Sequence, residues 1–299
     1  MASRNILHMV TPLKHMSPFD VNMAVDAGYD CVVPYTQVSV EEIKPLVQDA
    51  IYSRSPEMGP RTGLFIAGKN AIAALDMMSE GWEALVPPFA LSIFADPAGS
   101  FTTSGALVAC VVKTLKDKTG AGWAGRTVAV FGGTGVVGFC SAVIAAGEGA
   151  RVHLVGHDGD ARVKRMAADM QARFAVQVNG ADGSSLEKRR AIVQEAEVVI
   201  CAGPAGVQVI SAEAVAGATK LVVAADVNAV PPPGIAGIGL HDNGTPIPGT
   251  SGVGIGALAI GDVKYRTQAG LFRKMIVSDK TLTLDFRDAY DLAREIVGA

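Results

Sequence analysis

Gly133, Gly135 and Gly138 stand at G-x-G-x-x-G spacing inside VAVFGGTGVVGFCSAVIAAGEGARVHLV, the segment from Val128 to Val155. Glycine is common in this chain, with 34 in 299 residues, so spacing alone says little. Context says more: an apolar run precedes the glycines, an apolar helical stretch follows, and a second apolar run closes the unit. In that setting Gly133 allows a tight turn, Gly135 lets a pyrophosphate approach the backbone, and Gly138 lets helix and strand pack closely. Thr134, Val136 and Val137 fill the turn and open the helix, whose first N–H groups and positive dipole end face the phosphates. These residues predict a dinucleotide site.

A second group follows the second apolar run, at Gly156-His157-Asp158-Gly159. An acid there accepts the ribose hydroxyls of NAD, whereas an arginine suits the extra phosphate of NADP. Asp158 argues for NAD; Arg162, with Lys164 and Arg165 beside it, keeps NADP open. An N-cap and a solvated helix face explain the same residues without a ligand. Ala202, Gly203 and Pro204, then Asp226 and Asn228, end two later strands, where small residues leave room for a flat nicotinamide.

Alternating patterns position these groups. Strands are predicted at Thr127–Phe131, Arg151–Val155, Ala175–Val178, Val198–Ala202 and Lys220–Ala225, with helices near Gly135–Glu148, Asp160–Phe174, Ser184–Glu195 and Ala212–Ala216. Such alternation makes a doubly wound parallel sheet with right-handed crossovers. The first hundred residues read as a smaller α/β unit. Its strands are predicted at Asn5–Met9, Cys31–Pro34, Gly63–Ile66 and Ala84–Val86, its helices near Phe19–Ala27, Val40–Tyr52 and Asn70–Gly81. Two long apolar helices, one ending near Lys118 and one running from about Gly256 to Val277, flank the nucleotide unit; Phe286–Val297 closes the chain as an amphipathic helix. The expectation is an α/β protein of two domains: residues 1–105 for substrate, residues 106–255 a Rossmann domain for NAD(P), residues 256–299 packing back near the first, and a cleft between them.

Composition narrows the partners. A net charge of −3 with no basic face argues against nucleic acid. No stretch reaches the roughly 18 uninterrupted apolar residues of a membrane helix, and MASRNILHMV lacks the pattern of a secretory leader. Cys31, Cys110, Cys140 and Cys201 form no C-x-x-C pair, so they read as reduced core residues of a cytoplasmic protein, and no metal site is expected.

Some chemistry has no residues to carry it. No Tyr-x-x-x-Lys pair follows the nucleotide unit, and H-E-x-x-H, G-x-S-x-G and a P-loop lysine do not occur. His15, in LKHMSPFD, is the lone loop candidate for an acid or base. Oxidising an alcohol releases a proton and needs a base. Removing a hydride from an N–CH2–N bridge leaves a cation stabilised by both nitrogens and needs only positioning.

Longer motifs carry a resemblance across essentially the whole chain. They are HMVTPLKHMSPFDVNMA from His8, FADPAGSFTT from Phe94, VGHDG from Val155, AADVNAVPPPGIAGI from Ala224 and GVGIGALAIGDVKYRTQAGLFRKM from Gly252. In these the chain resembles the NAD(P)-dependent methylene-tetrahydromethanopterin dehydrogenases of methylotrophic bacteria, most closely the B type that accepts NAD as well as NADP. The resemblance implies hydride transfer from methylene-tetrahydromethanopterin to NAD or NADP within formaldehyde oxidation, by a cytoplasmic homo-oligomer. The strictly NADP-dependent A type carries a G-R-K-like turn where this chain has Gly156-His157-Asp158, so use of NAD is expected here. The shared segments outside the nucleotide unit imply a pterin site. A carboxylate can accept the pterin's adjacent N–H donors and a lysine can donate to its carbonyl. Asp20 and Lys264 are the candidates, Phe19 would pack the ring, and Thr102 and Thr103 would sit at the mouth. A helix cap at Asp20 and an exposed helix lysine at 264 are the bland alternatives. Other readings remain: a methylene-tetrahydrofolate dehydrogenase, a shikimate-type dehydrogenase drawing on Lys14 or Lys69, and a non-catalytic NAD(P)H sensor.

Overall fold

The computed structural model describes residues 4–299. The chain forms two compact units. One comprises the residues up to Thr102 with Tyr265–Leu292; the other comprises Thr103–Lys264 with Ala293–Ala299.

The first unit holds strands β1 (Ile6–Thr11), β2 (Cys31–Thr36), β3 (Thr62–Ile66) and β4 (Ser92–Ala95), with helices α1 (Pro18–Ala27), α2 (Ile43–Tyr52) and α3 (Ala71–Glu83) between them. Helix α1 is locally specified. Ser17 accepts the Asp20 N–H as N-cap, Pro18 opens the helix, and Gly28 closes it at φ 115. The sheet is all parallel and gains a fifth strand from the far end of the chain, β12 (Thr283–Leu284), which pairs with β4. The core follows the same logic. Phe65 and Phe94 from the sheet lie 5.3 and 5.2 Å from Phe272, and Leu271 and Met275 are buried with them.

Helix α4 (Ser100–Thr119) carries the chain into the second unit. It is long and apolar, and most of it is buried inside the protein, as in a core helix. Next come β5 (Thr127–Phe131), α5 (Val136–Gly147), β6 (Arg151–Gly156), α6 (Ala161–Phe174), β7 (Val178–Asp182), α7 (Leu186–Glu195), β8 (Val198–Cys201), α8 (Ala212–Val215), β9 (Val223–Asp226), β10 (Asn243–Pro246) and β11 (Val253–Ile255). Helix α9 (Ala257–Val277) and α10 (Phe286–Val297) complete the chain. The seven-stranded sheet runs β10-β11-β9-β8-β5-β6-β7, parallel except for β10. Read from β7 to β11, that is the 3-2-1-4-5-6 order of a dinucleotide fold, reversing between β5 and β8.

Several local expectations are corrected. Residues 84–86 form no strand; Val86 makes one isolated bridge to Phe89, and the strand lies later at Ser92–Ala95. The third strand of the nucleotide unit starts at Val178, because Ala175 at φ 55 caps α6 in the left-handed region. Three of the cysteines are buried, but Cys31 is exposed at the start of edge strand β2.

Candidate active site

At the reversal of the second sheet, β5 ends at Phe131 and the chain turns through Gly132 at φ 80. Gly132, one residue before the predicted triplet, is thus the turn glycine. A side chain there would also run into the Ala202 carbonyl at the end of β8. Gly133 abuts the Leu154 side chain, and a Cβ on Gly138 would fall 2.5 Å from the Gly132 oxygen, so both are required by packing. Gly135 differs. It is exposed, its backbone is extended, and a Cβ would meet a single atom, the Gly132 oxygen, at 3.4 Å. Packing alone tolerates a side chain there; a backbone-hugging pyrophosphate does not. Gly135 is also the N-cap of α5 and supplies no side-chain acceptor, whereas Ser17, Asn70, Ser185 and Ser211 cap α1, α3, α7 and α8. The cradle therefore fits a dinucleotide, with half-exposed Thr134, Val136 and Val137 around it.

The loop after β6 is folded tightly by Gly156, where a Cβ would strike the Gly159 carbonyl. It presents His157 and Asp158 to solvent. The Arg162 guanidinium lies 3.2 Å from His157 Nδ1 and 3.7 Å from Asp158 Oδ1.

Two buried side chains shape the loops after β8 and β9: Asp226 braces its own loop and Asn228 ties it to the loop after β8. Asp226 Oδ1 accepts the Asn228 N–H at 3.0 Å and Oδ2 accepts the Ile235 N–H at 3.1 Å. Asn228 Oδ1 accepts N–H bonds from Gly206 and Val230, and its Nδ2 donates to the Pro232 carbonyl. Burial pushes the Asp226 carboxyl up, and these backbone donors pull it partly back. Asp226 and Asn228 thus brace the prolines of Val230–Pro233. Ala202 and Gly203 lie half-buried on the facing strand end, with Pro204 exposed. Below the brace is a cavity of about 160 Å³, lined also by Gly239, Leu240, Gly256 and Ala257. Gly256 and Ala257 belong to the motif that begins at Gly252, whereas Gly239 and Leu240 carry no sequence signal of their own; the Leu258 N–H, donating to the Leu240 carbonyl, joins the two segments. Burial pushes the Cys201 thiol up to about 12, so it stays protonated beside this brace.

The substrate candidates are spread over the chain. Phe19 is 47% exposed on α1. Asp20, one residue on, is buried, and its Oδ1 accepts a hydrogen bond from Gln268 Nε2 of α9 at 2.8 Å. The helix cap expected as its alternative role belongs to Ser17. Thr102 is buried, not at a rim: its hydroxyl donates to Asp96 Oδ2 at 2.7 Å, and Asp96 Oδ1 also accepts the Phe101 and Thr102 N–H groups. Thr103 and Lys264 are half-buried on α4 and α9. His15 is exposed. Among the described residues no group of three His, Cys, Asp or Glu side chains is placed to hold a metal.

A sheet of this order, a glycine turn at its reversal and an acid after the second strand define a dinucleotide-binding protein of the Rossmann class. Comparison with known proteins sharpens the class. The chain is 54% identical over 296 residues to the NAD(P)-dependent methylenetetrahydromethanopterin dehydrogenase of Methylorubrum extorquens, covering 99% of this chain and all of the relative. Residues 18–98 match the family model for the methylene-tetrahydromethanopterin dehydrogenase N-terminal region. The chain belongs to the methylenetetrahydromethanopterin dehydrogenase family. Solved structures share the fold at low identity. The NAD-dependent malic enzyme of Thermotoga maritima has a TM-score of 0.58 at 14% identity, covering 98% of this chain and 85% of that one. Shikimate 5-dehydrogenase of Listeria monocytogenes has a TM-score of 0.52 at 15%, covering 99% and 97%.

Proposed function

We propose that this chain oxidises methylene-tetrahydromethanopterin to the methenyl form and passes the hydride to NAD or NADP. Full-length identity of 54% to an enzyme of that name carries the reading. The local chemistry agrees with it. Asp226, the carboxylate in the lining of the cavity at β9 and β11, has both oxygens turned to backbone N–H groups of its own loop, which gives it a bracing role. Hydride loss from an N–CH2–N bridge releases no proton, so this site can serve without a base. With the dinucleotide bound, its nicotinamide ring would supply the hydride acceptor. Gly135 and the uncapped start of α5 hold the pyrophosphate, and Thr134, Val136 and Val137 shape the approach. His157, Asp158 and Arg162 meet the adenosine ribose. Ala202, Gly203 and Pro204, with the loop braced by Asp226 and Asn228, keep the floor flat for the ring.

For the pterin we assign Asp20 and Lys264 as anchors, Phe19 as ring contact, and Thr102 and Thr103 as supports. Lys264 acts by charge and hydrogen bonding, not as a base, because the product is a cation. The same reading makes the protein a cytoplasmic homo-oligomer. Exposed Tyr52, Trp82 and Val86 offer apolar surface for self-association, which light scattering of the purified protein tests.

One assay tests the activity. The protein is given methylene-tetrahydromethanopterin or methylene-tetrahydrofolate with each nicotinamide, and reduced nicotinamide is followed by absorbance. Reduction with the methanopterin substrate is expected; none with either pterin overturns the reading, and activity with the folate alone reassigns the substrate. Lys264→Ala should raise the KM for pterin and leave nucleotide affinity nearly unchanged. Equal loss of both would make it structural.

A further inference from the structure

We infer that Arg162 is a two-position side chain that lets one ribose site take both NAD and NADP, with His157 and Asp158 as its resting partners. The inference rests on the reading that the nucleotide lies on the glycine turn between β5 and α5.

Of the other basic side chains near the carboxyl ends of β6 and β7, three are paired at short distance, and Arg165 lies a further turn along α6. Lys164 pairs with Asp160 at 2.6 Å, one helical turn back. Lys188 pairs with Asp182 at 2.5 Å and also reaches Ser184. Arg189 donates to the Gly183 carbonyl at 2.8 Å. Arg162 is held more weakly. Its contact with His157 Nδ1, at 3.2 Å, requires that nitrogen to be the unprotonated acceptor, and Asp158 lies beyond hydrogen-bond reach at 3.7 Å. Roughly half of each side chain, and more of His157, is open to water: 74%, 54% and 46% for His157, Asp158 and Arg162.

That arrangement answers two ligands. A ribose with free hydroxyls offers donors, which Asp158 accepts while Arg162 stays on His157. A ribose 2′-phosphate offers only acceptor oxygens and negative charge, which Asp158 repels. Arg162 can then leave its weak partners and take the phosphate through its planar fork, screening Asp158 as it does so. Gly156 approaches the Gly159 carbonyl so closely that a side chain there is excluded, and the exchange needs only the Arg162 side chain to move. Dual use follows from placing an acid and a mobile base within one turn of each other.

Binding alone tests this, through fluorescence titration with NADH and NADPH. Arg162→Ala should weaken NADPH about tenfold or more and leave NADH within about twofold. Arg162→Lys should recover part of the NADPH affinity. Asp158→Ala should weaken NADH and tighten NADPH. Adenosine 2′,5′-bisphosphate should compete in the wild type and fail in R162A, while adenosine 5′-monophosphate competes in both. Equal weakening of both nucleotides in R162A, or no change in NADPH, overturns the assignment. Gly135→Val separates the underlying reading. If it abolishes both nucleotides while R162A does not discriminate, only the Arg162 role falls; if it leaves both bound, the nucleotide lies elsewhere and both readings fall.

Discussion

Asp226 illustrates how a side chain's chemistry is fixed by its neighbours. Its position at a strand end is legible from sequence, but its inward turn onto its own loop is not, because backbone amides of residues 228 and 235 leave no trace in side-chain spacing. Asp226→Asn places an N–H2 donor against a backbone N–H, leaving buried donors unsatisfied. A loss of about 1–3 kcal/mol is expected in urea unfolding. Faster amide exchange at Asn228 and Ile235 should accompany it, and an unchanged protection pattern would show that the brace is not needed. His8 makes a second residue-scale prediction. Burial, helped by the Arg54 charge, holds its imidazole below the usual 6.5, and Nδ1 sits 3.0 Å from Tyr35 Oη. The folded protein keeps His8 neutral, while the unfolded chain protonates near its ordinary value. Its contribution is therefore complete above about pH 6.5 and is lost as pH falls through the window below. His8→Gln should flatten the decline of Tm between about pH 7 and 5; an unchanged slope would remove His8 as a source. Burial depresses His153 in the same direction.

Helix α5 shows what a glycine pattern does and does not reveal. The motif places the turn, the helix and the strand, since period and punctuation survive in sequence. It does not reveal which glycine plays which part. The turn belongs to Gly132, and Gly135 alone is spared by packing. Two substitutions separate the roles. Gly138→Val pushes against backbone and should cost about 1–3 kcal/mol. Gly135→Val should alter stability by about 1 kcal/mol at most while abolishing NADH binding; retained binding would deny it a ligand role. Strands and helices with strong apolar patterns, such as β5 and α10, are legible to the residue. The short ones are not. β12 has two residues and β11 three, too few for any period, and both exist because a neighbouring edge is available.

At the scale of the molecule, sequence order and structural order part company. Alternation predicts the parallel sheets, and the resemblance supplies the chemistry. The return of residues 256–299 to the first unit is expected from sequence, but neither shows that a two-residue strand among them joins the sheet beside β4. Phe272 is the centre of that arrangement, fully buried against Phe65, Phe94 and Tyr29. Phe272→Ala should cost about 3–5 kcal/mol in stability, with protease cuts appearing first among residues of β1 to β4. Cuts confined to β5 to β9 would contradict this placement.

The discontinuous first unit also has a consequence in time. During synthesis, residues 4–102 leave the ribosome without Leu271, Phe272 and Met275, which their core requires. Nearly all of the nucleotide unit lies in the continuous stretch Thr103–Lys264, which leaves the ribosome ahead of those residues. The segment translated first is therefore expected to be the one that completes its fold last, carrying open β-strand edges through the interval and depending on chaperones to cover them.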